Sequence, residues 1–518
     1  MSATHRWLAL STLVALAACG GSDSTTGASS AYKAGDFPAS SSLANKCASP
    51  RTGTDPTTGK PYADTAGSTT LENSFLRSWT NELYLWYREV PDVDPASYSS
   101  TSSYFNLLKT SATTASGNAK DKFHFTYTTA QWVALSQSGI EAGYGANWVV
   151  VASTPPRKVL VAYVDPGTPA ATAGLLRGTQ VLTVDGVDLV NASDSASVAT
   201  LNAGLFPSAA GSAHTFTVQD VGSTAVRTVS MTSANVTSTP VQNVKTVRGP
   251  SGTVGYMLFN DHIATAEPLL ISAFAQLAAA GVNDLVLDIR YNGGGYLDIA
   301  SEVAYMIAGP AATTGRTFER TLFNDKYGAK NPVTGEALTP VPFHTTSQGF
   351  SGASGQALPA LNLSRVAVLT GSNTCSASES IINSLRGVGV EVVEIGGTTC
   401  GKPYGFYPED NCGTTYFSIQ FQGVNDKAFG DYSDGFSPAN ATSSIGVAIP
   451  GCAVADDYSH ALGDAQEARF GAALGYLGGQ GCPAVSAGAP GVSQARAAAA
   501  GDGDLQRSPL RANRILRR

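Results

Sequence analysis

The sequence predicts a mixed α/β multidomain protein: an N-terminal helical region, a β-rich module and an α/β layer built on a sheet with helices. Three observations carry that expectation. Phe75, Leu76, Trp79 and Leu83 recur mostly at three- and four-residue steps, the period of a helix with one apolar face. Residues 138–245 break into short β-type runs (Trp148–Val151, Val159–Val164, Gln180–Val184) between Gly and Pro turns. Residues 252–480 then alternate strand and helix signals, which argues a largely parallel sheet.

Length and composition agree with this reading. A chain of 518 residues exceeds one ordinary core, so several domains are expected. Its 43% hydrophobic and 14% charged residues, with 55 glycines, suit a loop-rich exported globular protein. A net charge of −7 argues against a nucleic-acid surface, which needs clustered Lys and Arg.

At the N-terminus, His5 and Arg6 precede an apolar stretch, Trp7–Ala15, too short to span a bilayer as a stable helix. Leu16-Ala-Ala-Cys19-Gly20 follows and resembles the bacterial lipobox, whose cysteine is lipidated; by that resemblance Gly20 implies the outer membrane, facing the periplasm, with the cell surface as the alternative. The expected layout is a signal peptide at 1–18, a Gly/Ser/Thr-rich tether at 19–70, a helical domain at 71–135, a β-rich domain at 136–245, an α/β domain at 246–482 and a disordered tail at 483–518. Six of the seven cysteines remain for pairing in an oxidising compartment. Cys400–Cys412 and Cys452–Cys482 are the favoured local pairs, with Cys375–Cys400 as the rival.

Ser376 and Lys402 carry the chemical argument. Each follows a run that reads as a buried strand, Arg365–Thr370 and Val390–Ile395, so two neighbouring strands would bring a hydroxyl and an amine to one edge. A serine nucleophile needs that arrangement if a lysine takes its proton. Read singly, each piece has a plainer explanation. Ser376-Ala-Ser-Glu379 is also a capping box, although a serine at a helix start lies beside free N–H donors. Gly396-Gly-Thr-Thr-Cys-Gly401-Lys402 fits seven positions of a phosphate loop, but Pro403 stands where the metal-binding hydroxyl belongs. No zinc motif and no Gly-x-Ser-x-Gly elbow occurs. A third element, Asp288-Ile-Arg-Tyr-Asn-Gly293-Gly294-Gly295, follows a strand and lets backbone N–H groups approach a reacting carbonyl.

Two resemblances follow from these residues. Gly167-Thr-Pro-Ala-Ala-Thr-Ala-Gly-Leu175, Leu176-Arg-Gly178 and Val184-Asp-Gly186 resemble a PDZ domain, with Gly143-Tyr144-Gly145 matching its carboxylate-binding loop. The three site elements, with that module upstream, resemble the tail-specific, or C-terminal processing, serine protease family over about residues 70–480. The resemblance implies Ser376 as nucleophile, Lys402 as general base, and the N–H groups of Ala377 and Gly294 as the oxyanion hole. It also implies an acyl-enzyme, polypeptide substrates held by an accessible C-terminal end, and no metal or organic cofactor. Asp434-Gly-Phe-Ser-Pro438 resembles a later loop of the family. One position departs from it: Phe406 stands where several members carry a glutamine that orients the lysine, and Gln420 or Gln422 would have to substitute. As a base, Lys402 must lose about 3 units from the lysine reference of about 10.4, roughly 4 kcal/mol, which burial in a largely apolar pocket supplies. The alternative is a catalytically inactive peptide- or ligand-binding lipoprotein on the same fold.

Overall fold

Six strands form the sheet that carries the site, lying side by side in chain order: β1 (Val241–Gly249), β2 (Gly252–Phe259), β3 (Asp284–Asp288), then, after a short separate strand β4 (Gly294–Tyr296), β5 (Arg365–Thr370), β6 (Glu391–Gly396) and β7 (Gly451–Ala453). This computed structural model describes residues 32–56, 58–250, 252–441, 446–484 and 514–516. β1 and β2 are antiparallel; every later pairing in the sheet is parallel. Parallel neighbours need long crossovers; the helices α1 (Ala266–Ala279), α2 (Leu297–Ala308) and α3 (Ala377–Gly387) supply the first three, and short strands lie in the crossover from β6 to β7.

All five residues of β3 are buried, as are Val366–Thr370 of β5 and Val392–Gly396 of β6. Such unbroken burial marks strands covered on both faces. Side chains alternate across the sheet. Leu285, Leu287, Val366 and Val368 pack with Ile381, Ile382 and Leu385 of α3. Val286, Ala367, Leu369, Val393 and Ile395 pack on the other face with Phe470 and Leu477 of helix α4 (Ala468–Leu477).

Upstream, a helix over Thr69–Leu83 is capped by Ser68, whose side chain accepts the Leu71 N–H. It buries Phe75, Leu76 and Trp79 against Tyr104, Phe105 and Tyr416. The tether expected over 19–70 needs correction from Tyr32 onward. Arg77 is buried between the Asp92 carboxylate and the carbonyls of Lys33 and Asp36, with the rings of Tyr32 and Phe37 on its guanidinium. Cys47 is bonded to Cys412. One buried cation and one half-cystine hold a segment whose composition alone reads as linker. Cys19, the signal segment, and most of the expected tail lie outside the described residues.

The β-rich domain has five main strands, in spatial order Val226–Thr232, Ala213–Gln219, Gln180–Val184, Lys158–Val164 and Ala146–Ala152. A core of Val159, Val161, Val181, Leu201, Phe216 and Val218 holds them to the helix Ser195–Leu205. Among the described residues no helix is long and apolar enough to cross a membrane.

A buried acid pair supports a loop on the α1–α2 side. Glu267 accepts the N–H groups of Gln348, Gly349 and Phe350, and Glu302 shares the first of them. Burial, then the neighbouring Glu267, pushes the Glu302 carboxyl up to about 9. Folding therefore favours its protonated form. That contribution is complete below the unfolded value near 4.5 and is lost as pH rises toward 9. Glu302→Gln keeps a hydrogen bond and removes the titration, so its Tm should rise relative to wild type as pH goes from 5 to 8. Calorimetry across that range checks this; a constant difference would refute it.

Candidate active site

The site lies beyond the C-terminal ends of the adjacent strands β3, β5 and β6, where α/β sheets place their ligands. Three turns meet there.

The turn after β5 ends at Ser376, the residue before α3. Its φ of 62° and ψ of −118° lie where an L side chain is strained by about 1–3 kcal/mol. A sharp strand-to-helix turn of this kind presents a hydroxyl at a sheet edge. Ser376 Oγ is buried and makes no hydrogen bond among the described residues. The next N–H, that of Ala377, opens α3 and by position has no intrahelical acceptor.

The turn after β3 is held by Asn292. Its carbonyl accepts the Cys375 N–H (3.1 Å) and the Ser378 hydroxyl (3.1 Å), tying this turn to the Ser376 turn. Its Oδ1 accepts the Gly294 N–H at 2.9 Å, so an oxyanion reaching Gly294 would compete with that side chain. Gly295 has φ 138°, and a Cβ there would sit 2.4 Å from the His262 carbonyl oxygen, so only glycine fits. Behind this turn, Arg290 pairs with Asp288, Asp456 and Glu467. Arg177 of the β-rich domain reaches the same Asp456 and the Tyr291 hydroxyl. Burial raises the Asp456 carboxyl, but Arg469, Arg290 and Arg177 outweigh it and hold it well below the usual range.

The turn after β6 carries Lys402. Gly401 has φ 80° and a Cβ there would meet the Ser433 carbonyl oxygen at 2.2 Å. Lys402 is fully buried, its Nζ 4.3 Å from the Phe406 ring centre and 4.8 Å from that of Phe123. Burial disfavours the ammonium, whereas the ring faces favour it. Lys122, beside Phe123, donates from Nζ to the Cys400 carbonyl (2.8 Å), and burial lowers its pKa against the pull of Glu379 and Asp434. Phe123 and Lys122 come from the N-terminal region, which local patterning gave no reason to place here.

Glu379 joins the first and third turns. One carboxylate oxygen accepts the N–H groups of Ser376 (2.9 Å) and Lys402 (2.8 Å). The other accepts the Gly401 N–H (2.8 Å) and the Thr399 hydroxyl (2.5 Å). Burial pushes its carboxyl up, against these four bonds. The Ser-x-x-Glu spacing foretold the reach back to Ser376 but gave no sign of the second strand end.

Gln420 exchanges hydrogen bonds with the Tyr407 backbone (3.0 and 3.1 Å), and Gln422 donates to the Gly430 carbonyl. In the later loop, Asp434 accepts from Thr114 (2.7 Å), while Phe436 N–H donates to Thr399 Oγ1 (2.8 Å). In the β-rich domain, Tyr144 is buried, with its hydroxyl on the Gly204 carbonyl (2.9 Å). Gly145 has φ 76°, and a Cβ there would strike Thr168; Gly143 pairs with Ala234.

The cysteine pairing Cys400–Cys412 is overturned. The bridges are Cys375–Cys400, Cys452–Cys482 and Cys47–Cys412. Adjacent parallel strands bring the Cα atoms of Cys375 and Cys400 to 5.2 Å, while Cys412 lies beyond the hairpin strand Glu409–Asn411 and meets the N-terminal region. The Cys375–Cys400 bridge joins the residue before Ser376 to the residue two before Lys402. Cys400→Ser should therefore lower kcat at least about 10-fold with KM little changed, since misplacement of about 1 Å can cost more. Steady-state kinetics under non-reducing conditions check this; wild-type kcat would refute it.

The layered sheet, its crossovers and the helical N-terminal region define a mixed α/β multidomain protein. Residues 253–405 match the model of peptidase family S41, and residues 72–127 match that of the S41 N-terminal domain. A carboxyl-terminal-processing protease of Picosynechococcus sp. is 29% identical over 243 residues, 46% of this chain and 49% of that protein. Another, from Synechocystis sp., is 27% identical over 232 residues, 44% of this chain and 51% of that one. The chain thus spans about half the length of these curated relatives. A Bacteroides fragilis crystal structure assigned to the S41 proteases shares the fold, with TM-score 0.58 and 23% identity over 78% of this chain and 97% of that one.

Proposed function

We propose that this chain is a serine endopeptidase that cuts polypeptides recognised through their C-terminal end. The observation that carries the reading is the single buried carboxylate, Glu379, holding the main chain of Ser376 and of Lys402 together. Ser376 Oγ attacks the scissile carbonyl carbon while its proton passes to neutral Lys402 Nζ. The oxyanion is met by the Ala377 N–H and by the Gly294 N–H as it leaves Asn292 Oδ1. Collapse breaks the C–N bond, the lysine proton goes to the leaving amine, and an ester to Ser376 remains. Water then attacks the ester, giving its proton to Lys402, and the new carboxylic end departs as Ser376 recovers its proton.

The β-rich domain serves as the PDZ-like reader of the substrate tail. Its strand Ala146–Ala152 ends the sheet, pairing with Lys158–Val164 on one side, and such an edge accepts an extended peptide. Lipidation at Cys19 would tether the enzyme in the periplasm, and three disulfides suit that oxidising compartment.

The test is cleavage of an unfolded reporter whose last residues are varied. Wild type should cut it, and Ser376→Ala should lower turnover by at least about 10³-fold. Equal turnover by the two would end the reading. A rate indifferent to the reporter's last residues would remove the tail-reading role from the β-rich domain.

A further inference from the structure

The glycine turn beside the nucleophile is not an open edge. Strand β4 uses one side against His262: Tyr296 N–H donates to the His262 carbonyl (2.8 Å), and the Gly294 carbonyl accepts the His262 N–H (3.1 Å). Successive residues of a strand turn their N–H and C=O groups to opposite sides. The N–H and C=O of Gly295 therefore face away from His262. On that side runs strand β8 (Arg514–Leu516), parallel to β4, with Gly294 opposite Arg514, Gly295 opposite Ile515 and Tyr296 opposite Leu516. In this register Gly295 N–H meets the Arg514 carbonyl, and Leu516 N–H meets the Gly295 carbonyl. The same segment lies against Tyr404–Gly405, just after Lys402. It thus runs between the turn that carries the oxyanion donor and the turn that carries the base.

We infer that the β4 edge is a main-chain binding site for an extended polypeptide, and that Arg514–Leu516 of this chain is its intramolecular occupant, competing with substrate. The inference deepens the peptidase reading and, as regulation, rests on it. Main-chain pairing explains the location without any side-chain code. The residues of β4 are buried, and a buried N–H or C=O left unpaired costs about 1–3 kcal/mol. A strand laid along Gly295 satisfies both groups, as an incoming substrate strand would. Because the segment is covalently attached, it competes at an effective concentration on the order of millimolar. An external substrate must displace it, which raises the apparent KM and leaves the rate of the bound complex untouched.

The experiment has a kinetic arm and a binding arm. In the first, reporter cleavage is compared for the full chain, for a chain lacking residues 514–518, and for full-length Leu516→Pro, which removes the donor to Gly295. Both variants should lower KM by about three- to ten-fold with kcat unchanged. In the second, a labelled peptide of residues 508–518 is titrated by fluorescence anisotropy into Ser376→Ala protein lacking residues 514–518. It should bind, and the Leu516→Pro peptide should bind at least about five-fold more weakly. Cleavage with unchanged KM and no peptide binding would overturn the inference and leave the peptidase reading standing. Peptide binding that is sensitive to Leu516→Pro, without cleavage by any form, would uphold the occupied edge and sink the peptidase reading instead.

Discussion

Lys402→Met is expected to lower kcat by about three orders of magnitude while the protein stays folded. A general base contributes about 10²–10⁴, and Ser376 Oγ has no hydrogen bond among the described residues to draw its proton away. Methionine suits the pocket: it is unbranched, apolar and polarizable, and the rings of Phe123 and Phe406 that face the lysine are good partners for a thioether. Lys402→Arg separates the two jobs a cation could do. The guanidinium keeps the charge but is always protonated and cannot accept a proton. If Lys402 acts as base, both variants lose kcat alike; if it merely supplies positive charge, the arginine variant retains much of it. Turnover of the same reporter, with folding monitored by circular dichroism, decides between them. A kcat within ten-fold of wild type in either variant would remove the base from the mechanism.

The parts of this site that could be read in the sequence are those whose cause is local. The apolar runs before Ser376 and Lys402 do form β5 and β6, and these are hydrogen-bonded neighbours from Arg365 opposite Glu391 to Thr370 opposite Gly396. Unbroken burial of a central strand leaves a mark in consecutive residues, and so does a turn that only glycine can make. What could not be read is long-range. Phe123 reaches Lys402, and Lys122 the Cys400 carbonyl, from almost three hundred positions away because the strand Phe125–Thr128 pairs with Thr414–Phe417 of the later domain. The Cys47–Cys412 bridge spans 365 positions and belongs to the same docking. Spacing rules favour near partners, which is why Cys400–Cys412 looked reasonable. Glu379 was half legible: a capping box accounts for one of its four hydrogen bonds, and nothing in its neighbourhood signals the other three.

Those four bonds set the second large effect. In Glu379→Gln one carboxylate oxygen becomes an NH₂ group, so either Ser376 and Lys402 or Gly401 and Thr399 face a donor where they had an acceptor. Each buried group left unpaired costs about 1–3 kcal/mol, so a loss of about 2–4 kcal/mol of stability is expected. The protein should remain folded well below its Tm. Displacing the main chain of either Ser376 or Lys402 by even about 1 Å is enough to cost about 10² in rate. Glu379 touches no reacting atom, so substrate affinity should hardly move: the expected signature is kcat down about 100-fold with KM within about three-fold. Glu379→Ala opens a cavity as well as orphaning all four donors, and should cost more in both quantities. A purely structural carboxylate would behave differently, because the folded fraction of Glu379→Gln assayed below its Tm would keep the wild-type kcat. That result would detach Glu379 from the alignment of nucleophile and base, leaving the Cys375–Cys400 bridge and Asn292 to hold the turns in register.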